Sequence, residues 1–389
     1  MNRIVRKIIS RSRNAHNHNA QNSSSRLPLA LFAALGAAAL AVPVVGATVG
    51  GVDGAVFTLT NNIAGNEVVV FDRFADGSLG AQRSYSTRGT GTGGGLGNQG
   101  ALALSDSGRW LLAVNPGSNS VSVFLAVGSY LYRTDTEASG GTTPVSVTIE
   151  DDLVYVLNAG SDSVQGFRMS IYGTLTPILG SRRALSGTGT SAAQVEFNRD
   201  GDLLAVTEKA ANRVLTFTVD GDGLLSQARI QDSPSPTPFG FAFGRRDQLL
   251  VSEAVGGAAG ASTLSSYRLN GDASVDIVSA AVPSGQSAAC WVVITRDGRY
   301  AYVSNTASGN LSTYAVGNGA ATLSTAISAT TGAGSGPTDM ALDRNSRFLY
   351  VLNNTTIGAF RVGANGALTR IEDQALSGVP AFATGMVAR

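Results

Sequence analysis

The 389-residue chain has two histidines and one cysteine, and its 28 basic residues nearly balance its 27 acidic residues. Both histidines, His16 and His18, lie in the first 50 residues, so the rest of the chain can form neither a Ser-His-Asp triad nor a histidine-ligated metal site. The single Cys290 excludes an intrachain disulfide, so packing and strand pairing must hold the fold together. Because Cys290 has no histidine partner, we expect a small buried residue rather than a nucleophile.

The N-terminal segment has the features of an export signal. Residues 1–26 carry six basic side chains and no acid, and residues 27–47 are almost continuously apolar. This pattern, with small residues at Val45 and Ala47, is typical of a secretory signal cleaved after Ala47. The apolar stretch is also just long enough to cross a bilayer of ~30 Å as an uncleaved anchor. We expect a secreted or periplasmic protein, with a short linker at 48–54.

The charge after residue 50 limits the possible partners. This part has 22 basic and 27 acidic residues, a net charge near −5. Such a balance favours solubility and argues against nucleic acid as a partner. We expect a monomer that makes no contact with a membrane once the signal is cut. Lys209, beside Glu208, is the only lysine in this part of the chain.

From residue 55 onward the chain repeats one unit. In the copy LLAVTEKAANRVLTF, residues 203–217, two short strand patterns are joined by a tight turn. Copies recur roughly every 48 residues, and a repeat of this length built from short strands indicates a β-propeller rather than a solenoid. Aligned on the first strand, the turn positions of the seven copies are Asn61, Asn115, Asn158, Thr207, Glu253, Asn305 and Asn353.

Each repeat extends to four strand patterns, with hairpin turns marked by Asp-Gly or Asn-Gly pairs. The first repeat begins at Ala55 without an inner strand, whereas AFATGMVA, after Pro380, ends the chain without following strands. The last strand therefore supplies the missing inner strand of the first blade and leaves no free sheet edge. We predict an all-β, seven-bladed β-propeller over residues 55–389, closed by its C-terminal strand. The predicted hairpin turns are Asp76-Gly77, Asp200-Gly201, Asp222-Gly223, Asp297-Gly298 and Asn365-Gly366.

Two adjacent repeats replace the turn asparagine and gain a glutamate. Glu253 occupies the turn position itself, and Glu208 lies one residue past Thr207. If the two carboxylates face each other at the channel mouth, their pKa values separate, and one can act as acid and the other as base. The alternatives are an ion pair of Glu208 with Lys209 or Arg213, and a solvated loop at Glu253.

Other polar and aromatic residues lie where inner strands begin or second strands end. Trp291 and Cys290 are neighbours on one inner strand, so only one of them can face the channel. The repeated asparagines have a structural alternative, since asparagine at a turn bonds nearby backbone. Carboxylates at metal-binding spacing are absent, and we expect neither a metal nor a cofactor. The candidate substrate-binding residues are Gln99, Gln194, Phe239, Trp291, Asn158 and Asn305.

The segments AQVEFNRDGDLLAVTEKAANRVLTF, PFGFAF and AACWVVITRDGRYAYVSN resemble the lactonase-type seven-bladed β-propellers, which include 6-phosphogluconolactonase-like and 3-carboxymuconate cyclase-like proteins. The resemblance covers residues 55–389 and implies a site with a histidine before an inner strand, a glutamate after the next strand, and arginines. Glu208 matches the glutamate. The histidine position falls in a stretch that reads Ala192, Ala193 and Gln194.

Together, the export signal and the resemblance predict an exported lactonase-like protein that hydrolyses or forms a lactone ring at the channel mouth. Glu208 would act as base or acid, Glu253 would tune the pKa of Glu208, and Lys209 or an arginine would steady the carboxylate charge. The competing interpretation is a non-catalytic propeller that binds a ligand or a protein partner at the same place. The lack of histidine favours this alternative.

Overall fold

The computed structural model describes residues 51–332 and 334–389, which form seven antiparallel sheets arranged as the blades of a ring. The signal predicted at 1–47 lies outside the described residues. The first strand begins at Val52, inside the segment predicted as a linker. Apart from strands, the described residues contain two 3-10 turns, Ala159–Ser161 and Val255–Gly257. The described residues therefore contain no helix that could cross a membrane.

Blades 1 to 4 each run from an inner strand at the channel to an outer strand at the rim. Blade 1 contains β29 (Thr384–Ala388), β1 (Val52–Leu59), β2 (Glu67–Phe74) and β3 (Leu79–Ser86). Blade 2 contains β4 (Leu102–Leu104), β5 (Trp110–Asn115), β6 (Ser120–Val127) and β7 (Tyr130–Ala138). Blade 3 contains β8 (Pro144–Glu150), β9 (Leu153–Asn158), β10 (Ser163–Met169), β11 (Leu175–Pro177) and the additional β12 (Arg183–Ala184). Blade 4 contains β13 (Ala192–Phe197), β14 (Leu203–Glu208), β15 (Arg213–Thr218) and β16 (Arg229–Asp232).

Blades 5 to 7 repeat the same order. Blade 5 contains β17 (Pro238–Phe243), β18 (Gln248–Glu253), β19 (Thr263–Leu269) and β20 (Val275–Pro283). Blade 6 contains β21 (Ala289–Ile294), β22 (Tyr300–Asn305), β23 (Asn310–Gly317) and β24 (Ala320–Thr330). Blade 7 contains β25 (Asp339–Leu342), β26 (Phe348–Leu352), β27 (Thr356–Val362) and β28 (Leu368–Ala375).

The C-terminal strand closes the ring, as predicted. In β29, Val387 pairs with Phe57 of β1, and Ala388 pairs with Val56. The pairing continues past β29, because Arg389 N donates to Ala55 O at 2.9 Å and Ala55 N donates to Arg389 O at 3.1 Å. Blade 1 therefore joins both ends of the propeller, and β1 has a paired strand on each side, β29 and β2.

The core lies between the blades. Every residue of β5, β9, β14 and β18 is buried, whereas all residues of the outer strand β24 except Ala321 are half-buried or exposed. A second strand packs against neighbouring blades on both faces, which explains why its sequence reads as a nearly continuous apolar run rather than a strict alternation. Outer strands face solvent and keep the alternation.

In three blades, a buried tyrosine donates a hydrogen bond to the following blade. Tyr155 Oη donates to Gly223 O at 2.8 Å, Tyr302 Oη to Gly366 O at 3.0 Å, and Tyr350 Oη to Gly77 O at 2.9 Å. Each acceptor belongs to an Asp-Gly or Asn-Gly turn in the following blade. The turn glycines have positive φ, for example 78° at Gly366, where a Cβ would also lie 2.5 Å from the Tyr300 ring. Three of the five predicted turns therefore also form inter-blade contacts.

Candidate functional site

Each second strand leads into a corner position, defined as the residue that pairs with the first residue of the third strand; in blades 1 and 7 this residue directly follows the second strand. In blade 4 this residue is Glu208, paired with Arg213, and not Thr207 as the sequence alignment predicted. In blade 1 it is Thr60, whose N donates to Glu67 O at 2.9 Å, and not Asn61. The apparent one-residue offset of Glu208 was therefore an alignment error. The corner residues of blades 2 to 7 are Asn115, Asn158, Glu208, Glu253, Asn305 and Asn353.

The corner asparagines bond the backbone and side chains of their own surroundings. Asn305 Nδ2 donates to Ser312 Oγ at 2.8 Å and to Asn310 Oδ1 at 2.9 Å. Asn158 Nδ2 donates to Ser139 O, in the connection from blade 2 to blade 3, at 2.9 Å. Both residues are fully buried and do not line the central channel. These contacts support the structural alternative for Asn158 and Asn305.

Glu208 binds the connection between blades 3 and 4. Ser186 N donates to Glu208 Oε1 at 2.9 Å, and Ser186 Oγ donates to Glu208 Oε2. Arg213 Nη1 in turn donates to Ser186 Oγ at 3.2 Å. Glu208 is fully buried, and this desolvation raises the pKa of its carboxyl while the Ser186 bonds oppose the rise. The carboxylate therefore anchors residue 186 at the blade junction.

Glu253 is held by three hydroxyl groups. Ser265 Oγ donates to Oε1 at 2.5 Å, Thr263 Oγ1 to Oε2 at 2.6 Å, and Ser233 Oγ to Oε1 at 3.2 Å. Ser233 belongs to the connection from blade 4 to blade 5. Burial raises the pKa of Glu253 to about 7 despite these donors. Glu253 therefore occupies the place and role of a corner asparagine, with a carboxylate in place of an amide.

The two glutamates, Glu208 and Glu253, are not brought together as an acid–base pair. Each binds the connection that precedes its own blade, and their described hydrogen-bond partners do not overlap. Neither contributes to the pKa shift of the other. Neither lines the central channel.

Four other predicted residues do meet, at the end of the channel where the inner strands begin. Lys209 Nζ donates to Gly97 O and lies 4.8 Å from the centre of the Phe239 ring. The Phe239 and Trp291 ring centres are 5.1 Å apart. Trp291 Nε1 donates to Asn98 O at 2.8 Å, next to Gln99. Burial lowers the pKa of Lys209 to about 8.

Cys290 lies beside this group with a buried thiol, whose pKa burial raises to about 11. A thiol of this kind is a poor nucleophile. The strand β21 shifts register between Ala289 and Val292, so the neighbours Cys290 and Trp291 are both buried.

The central channel is a cavity of about 1180 Å³ bounded by the inner strands. Gln99 and Gln194 line the end where the inner strands begin, and Glu196 lies on the same wall. Gln194 Nε2 donates to Glu196 Oε2 at 2.8 Å and to Phe241 O at 2.9 Å, and Phe241 N donates to Gln194 Oε1 at 2.7 Å. The Gln194 amide is thus fixed by blade 5 and holds the Glu196 carboxyl in place.

Glu196 is the channel carboxyl best suited to proton transfer. Desolvation raises its pKa to about 8, against the opposing effects of the Gln194 hydrogen bond and the Arg199 charge. Asp339, also on the channel wall, is 2% exposed, and burial raises its pKa well above the ordinary value. Near neutral pH a carboxyl like Glu196 exists in both protonation states and can pass a proton in either direction.

The opposite end of the channel, where the inner strands end, is lined by six arginines, of which Arg73 is buried and the other five are half-buried or exposed. An exposed guanidinium group is suited to anions, because it presents a rigid fork of donors that matches a carboxylate or phosphate. Acidic residues lie among the arginines, including Asp53, which pairs with Arg73 at 3.1 Å and with Arg347 at 3.2 Å. The lining arginines are Arg73, Arg199, Arg296, Arg344, Arg347 and Arg389.

Glu196, Asn98 and these arginines were not among the residues predicted from the sequence. Glu196 could have been found, because it lies two residues after Gln194 on the same strand and therefore on the same face. Asn98 has no pattern of its own, since its role depends on the path of an irregular connection. Within residues 51–332 and 334–389, no three His, Cys, Asp or Glu side chains are grouped to hold a metal ion.

The family model described as "Lactonase, 7-bladed beta-propeller" matches residues 61–183 and 262–384, more than half of the chain. No curated protein matches the chain.

Among solved structures, a Bacteroides uniformis protein provisionally described as a 6-phosphogluconolactonase aligns with a TM-score of 0.69 and 17% identity, covering 85% of this chain and 98% of that one. A Bacteroides fragilis protein with the same provisional description aligns with a TM-score of 0.68 and 18% identity, covering 87% and 98%. The Pseudomonas aeruginosa protein described as periplasmic gluconolactonase PpgL aligns with a TM-score of 0.67 and 16% identity, covering 86% and 98%. At these identities the alignments show a common fold.

Proposed function

The chain belongs to the lactonase family of seven-bladed β-propellers, and from that premise we propose that it opens or closes the ring of a small organic lactone inside its central channel. The observation that carries the proposal is the position of Glu196, a half-buried carboxyl on the channel wall that Gln194 Nε2 holds at 2.8 Å and whose pKa burial raises. The ring-opened product is a carboxylate, which suits the arginine-lined end of the channel.

In the ring-opening direction, water adds to the acyl carbon and the bond from that carbon to the ring oxygen breaks. The ring oxygen takes a proton and leaves as a hydroxyl group. The carboxyl group of the product then ionises and releases a proton to solvent. In its protonated form Glu196 can supply the proton to the ring oxygen, and as a carboxylate it can accept one from water. Arg199 offers positive charge for the oxyanion that forms at the acyl carbon.

The proposal includes action after export. Its support is the basic and apolar leader at residues 1–47 and the periplasmic description of the Pseudomonas aeruginosa structural neighbour. N-terminal sequencing of protein recovered from the exported fraction should give a first residue close to position 48. Protein that retains residues 1–47 in the cytoplasm would contradict this part.

The test of the reaction is a panel of aldonic and aromatic lactones, with ring opening followed by proton release. We expect turnover of at least one lactone and a loss of about 10²-fold or more in the Glu196→Gln variant. Glu137→Gln, on the outer strand β7, is the matched control and should keep full activity.

The sequence-based hypothesis makes a different prediction for the same assay, namely that Glu208→Gln abolishes turnover while Glu196→Gln does not. That result would move the chemistry to the corner of blade 4. A protein that turns over no lactone but binds the ring-opened acid would be a binding propeller instead.

A further inference from the structure

The connection from blade 1 to blade 2 differs from the others. It spans residues 87–101 between β3 and β4, whereas the connections at 139–143, 233–237 and 284–288 are much shorter. A short connection leads directly from the rim of one blade to the inner strand of the next. The longer one carries residues 97–99 across the beginning of the inner strands before it enters blade 2.

Asn98 bonds inner strands on three sides of the ring. Thr384 Oγ1 of β29 donates to Asn98 Oδ1 at 3.1 Å, and Asn98 Nδ2 donates to Val145 O of β8. Trp291 Nε1 of β21 donates to Asn98 O at 2.8 Å. Asn98 is 1% exposed, so its amide is fully enclosed by blades 1, 3 and 6.

Gln99 completes this crossing, which is the passage of residues 97–99 over the beginning of the inner strands. Its Nε2 donates to Val292 O at 2.8 Å, and Val292 N donates to its Oε1 at 3.1 Å. Gln99 N donates to Ala193 O of β13 at 3.1 Å. In β17 a Cβ at Gly240 would lie only 2.0 Å from Gln99 Oε1, so blade 5 also touches the Gln99 side chain closely. Asn98 and Gln99 thus contact the inner strands of five blades.

Three side chains cover the outer side of this crossing. Lys209 Nζ binds Gly97 O above the Phe239 ring, and Phe239 packs against Trp291. Phe239 and Trp291 are 7% and 5% exposed, and none of the three lines the channel cavity. The cavity begins on the other side of the crossing, at Gln99, and extends to the arginines.

We propose that Asn98–Gln99 is a plug that closes one end of the channel and makes it a pocket with a single, arginine-lined entrance. A ligand then enters through guanidinium groups, which favours anions, and its leading end stops at the amides of Gln99 and Gln194. This inference deepens the proposed function because it states how the substrate reaches Glu196. It can be tested without any turnover, so its failure is distinguishable from a failure of the proposed reaction.

The test measures from which end a reagent reaches a thiol inside the channel. In a Cys290→Ala background, Ala103→Cys introduces one thiol on the channel wall. Its labelling rate is measured with methyl methanethiosulfonate, which is neutral, and with 2-sulfonatoethyl methanethiosulfonate, which is negatively charged. The ratio of the two rates cancels changes in the reactivity of the thiol itself. The charge-reversed entrance is the double variant Arg296→Glu/Arg344→Glu.

With the plug in place, charge reversal at the entrance should lower the anionic-to-neutral rate ratio about tenfold at low ionic strength, because an anion must pass two new carboxylates. When Gln99→Ala is added, a second entrance opens, and the same charge reversal should lower the ratio much less. Trp291→Phe, which removes the indole N–H but keeps an aromatic ring, is the milder plug variant and should act in the same direction.

Two results would overturn the inference. If charge reversal leaves the ratio unchanged in the intact protein, the arginine-lined end is not the entrance. If charge reversal lowers the ratio equally with and without the plug changes, Asn98–Gln99 does not close the other end. Equal far-UV circular dichroism and thermal unfolding midpoints across the variants would establish that the comparison is between folded proteins.

Discussion

Replacing Glu253 by glutamine should make the stability of the protein less dependent on pH. The pKa of Glu253 rises from an ordinary value of 4.5 to about 7 on folding, chiefly because burial removes the carboxylate from water. Between these values the folded protein holds a proton that the unfolded chain has released. The free energy of unfolding must therefore fall as pH rises through this range, and level off above pH 7.

The magnitude follows from the size of the pKa difference. Each unit of difference is worth about 1.36 kcal/mol, so between pH 5 and pH 8 this one carboxyl should remove about 2–3 kcal/mol of stability. Glutamine carries no charge at either pH. Its amide also fits the corner, since Asn115 Nδ2 donates to Ser120 Oγ and Ser122 Oγ in the equivalent place in blade 2, at 3.2 and 2.9 Å.

The assay is urea-induced unfolding of the parent and of Glu253→Gln at pH 5 and pH 8. The parent should lose more stability between the two pH values than the variant, by about 2–3 kcal/mol. Glu137→Gln, on the outer strand β7, should follow the parent. An equal loss in parent and Glu253→Gln would refute the reasoning, because it would mean that Glu253 is ionised in the folded protein as readily as in the unfolded chain.

Three further predictions concern closure, packing and the entrance. A chain ending at Ala383 lacks β29, leaves β1 as an open edge, and should be aggregated or unfolded by size-exclusion chromatography and circular dichroism, whereas a monomeric folded product would contradict closure. Gly240→Ala should cost about 1–3 kcal/mol in urea unfolding, since its Cβ would lie 2.0 Å from Gln99 Oε1 and 2.5 Å from Cys290 O. Gly221→Ala, with no atom within 4 Å of its Cβ, should be nearly neutral, and equal costs would contradict the close contact. Arg344→Gln should raise the KM for an anionic substrate severalfold with little change in kcat, and an unchanged KM would remove Arg344 from substrate entry.

The blade count, the hairpin turns and the closing strand could be predicted because each has a local signal. Asp-Gly pairs fix turns through positive φ at glycine, and the unmatched strands at the two ends of residues 55–389 specify closure. The corner alignment failed in blades 1 and 4, because a tight turn can shift by one residue without changing the apolar pattern that precedes it. Pairing register, which decides that Glu208 and not Thr207 occupies the corner, is a tertiary property.

The candidate site was predicted less well than the fold. Turn residues such as Glu208 and Glu253 attract attention as departures from a repeat, yet both replace the corner asparagine in a structural role. Glu196 follows the inner-strand pattern of its repeat, so its position in the sequence does not mark it as a functional residue. Its importance comes from the channel that seven inner strands enclose, and no single repeat contains that information.

The most direct test of the central claim, that the ligand site is the channel, is a crystal structure of the protein with a bound aldonic acid such as gluconate. The account predicts ordered density between Glu196 and the arginine-lined end, with the carboxylate of the acid on a guanidinium group. Density beside Lys209 on the outer side of Asn98–Gln99, or at the Ser186–Glu208 junction, with an empty channel, would contradict it.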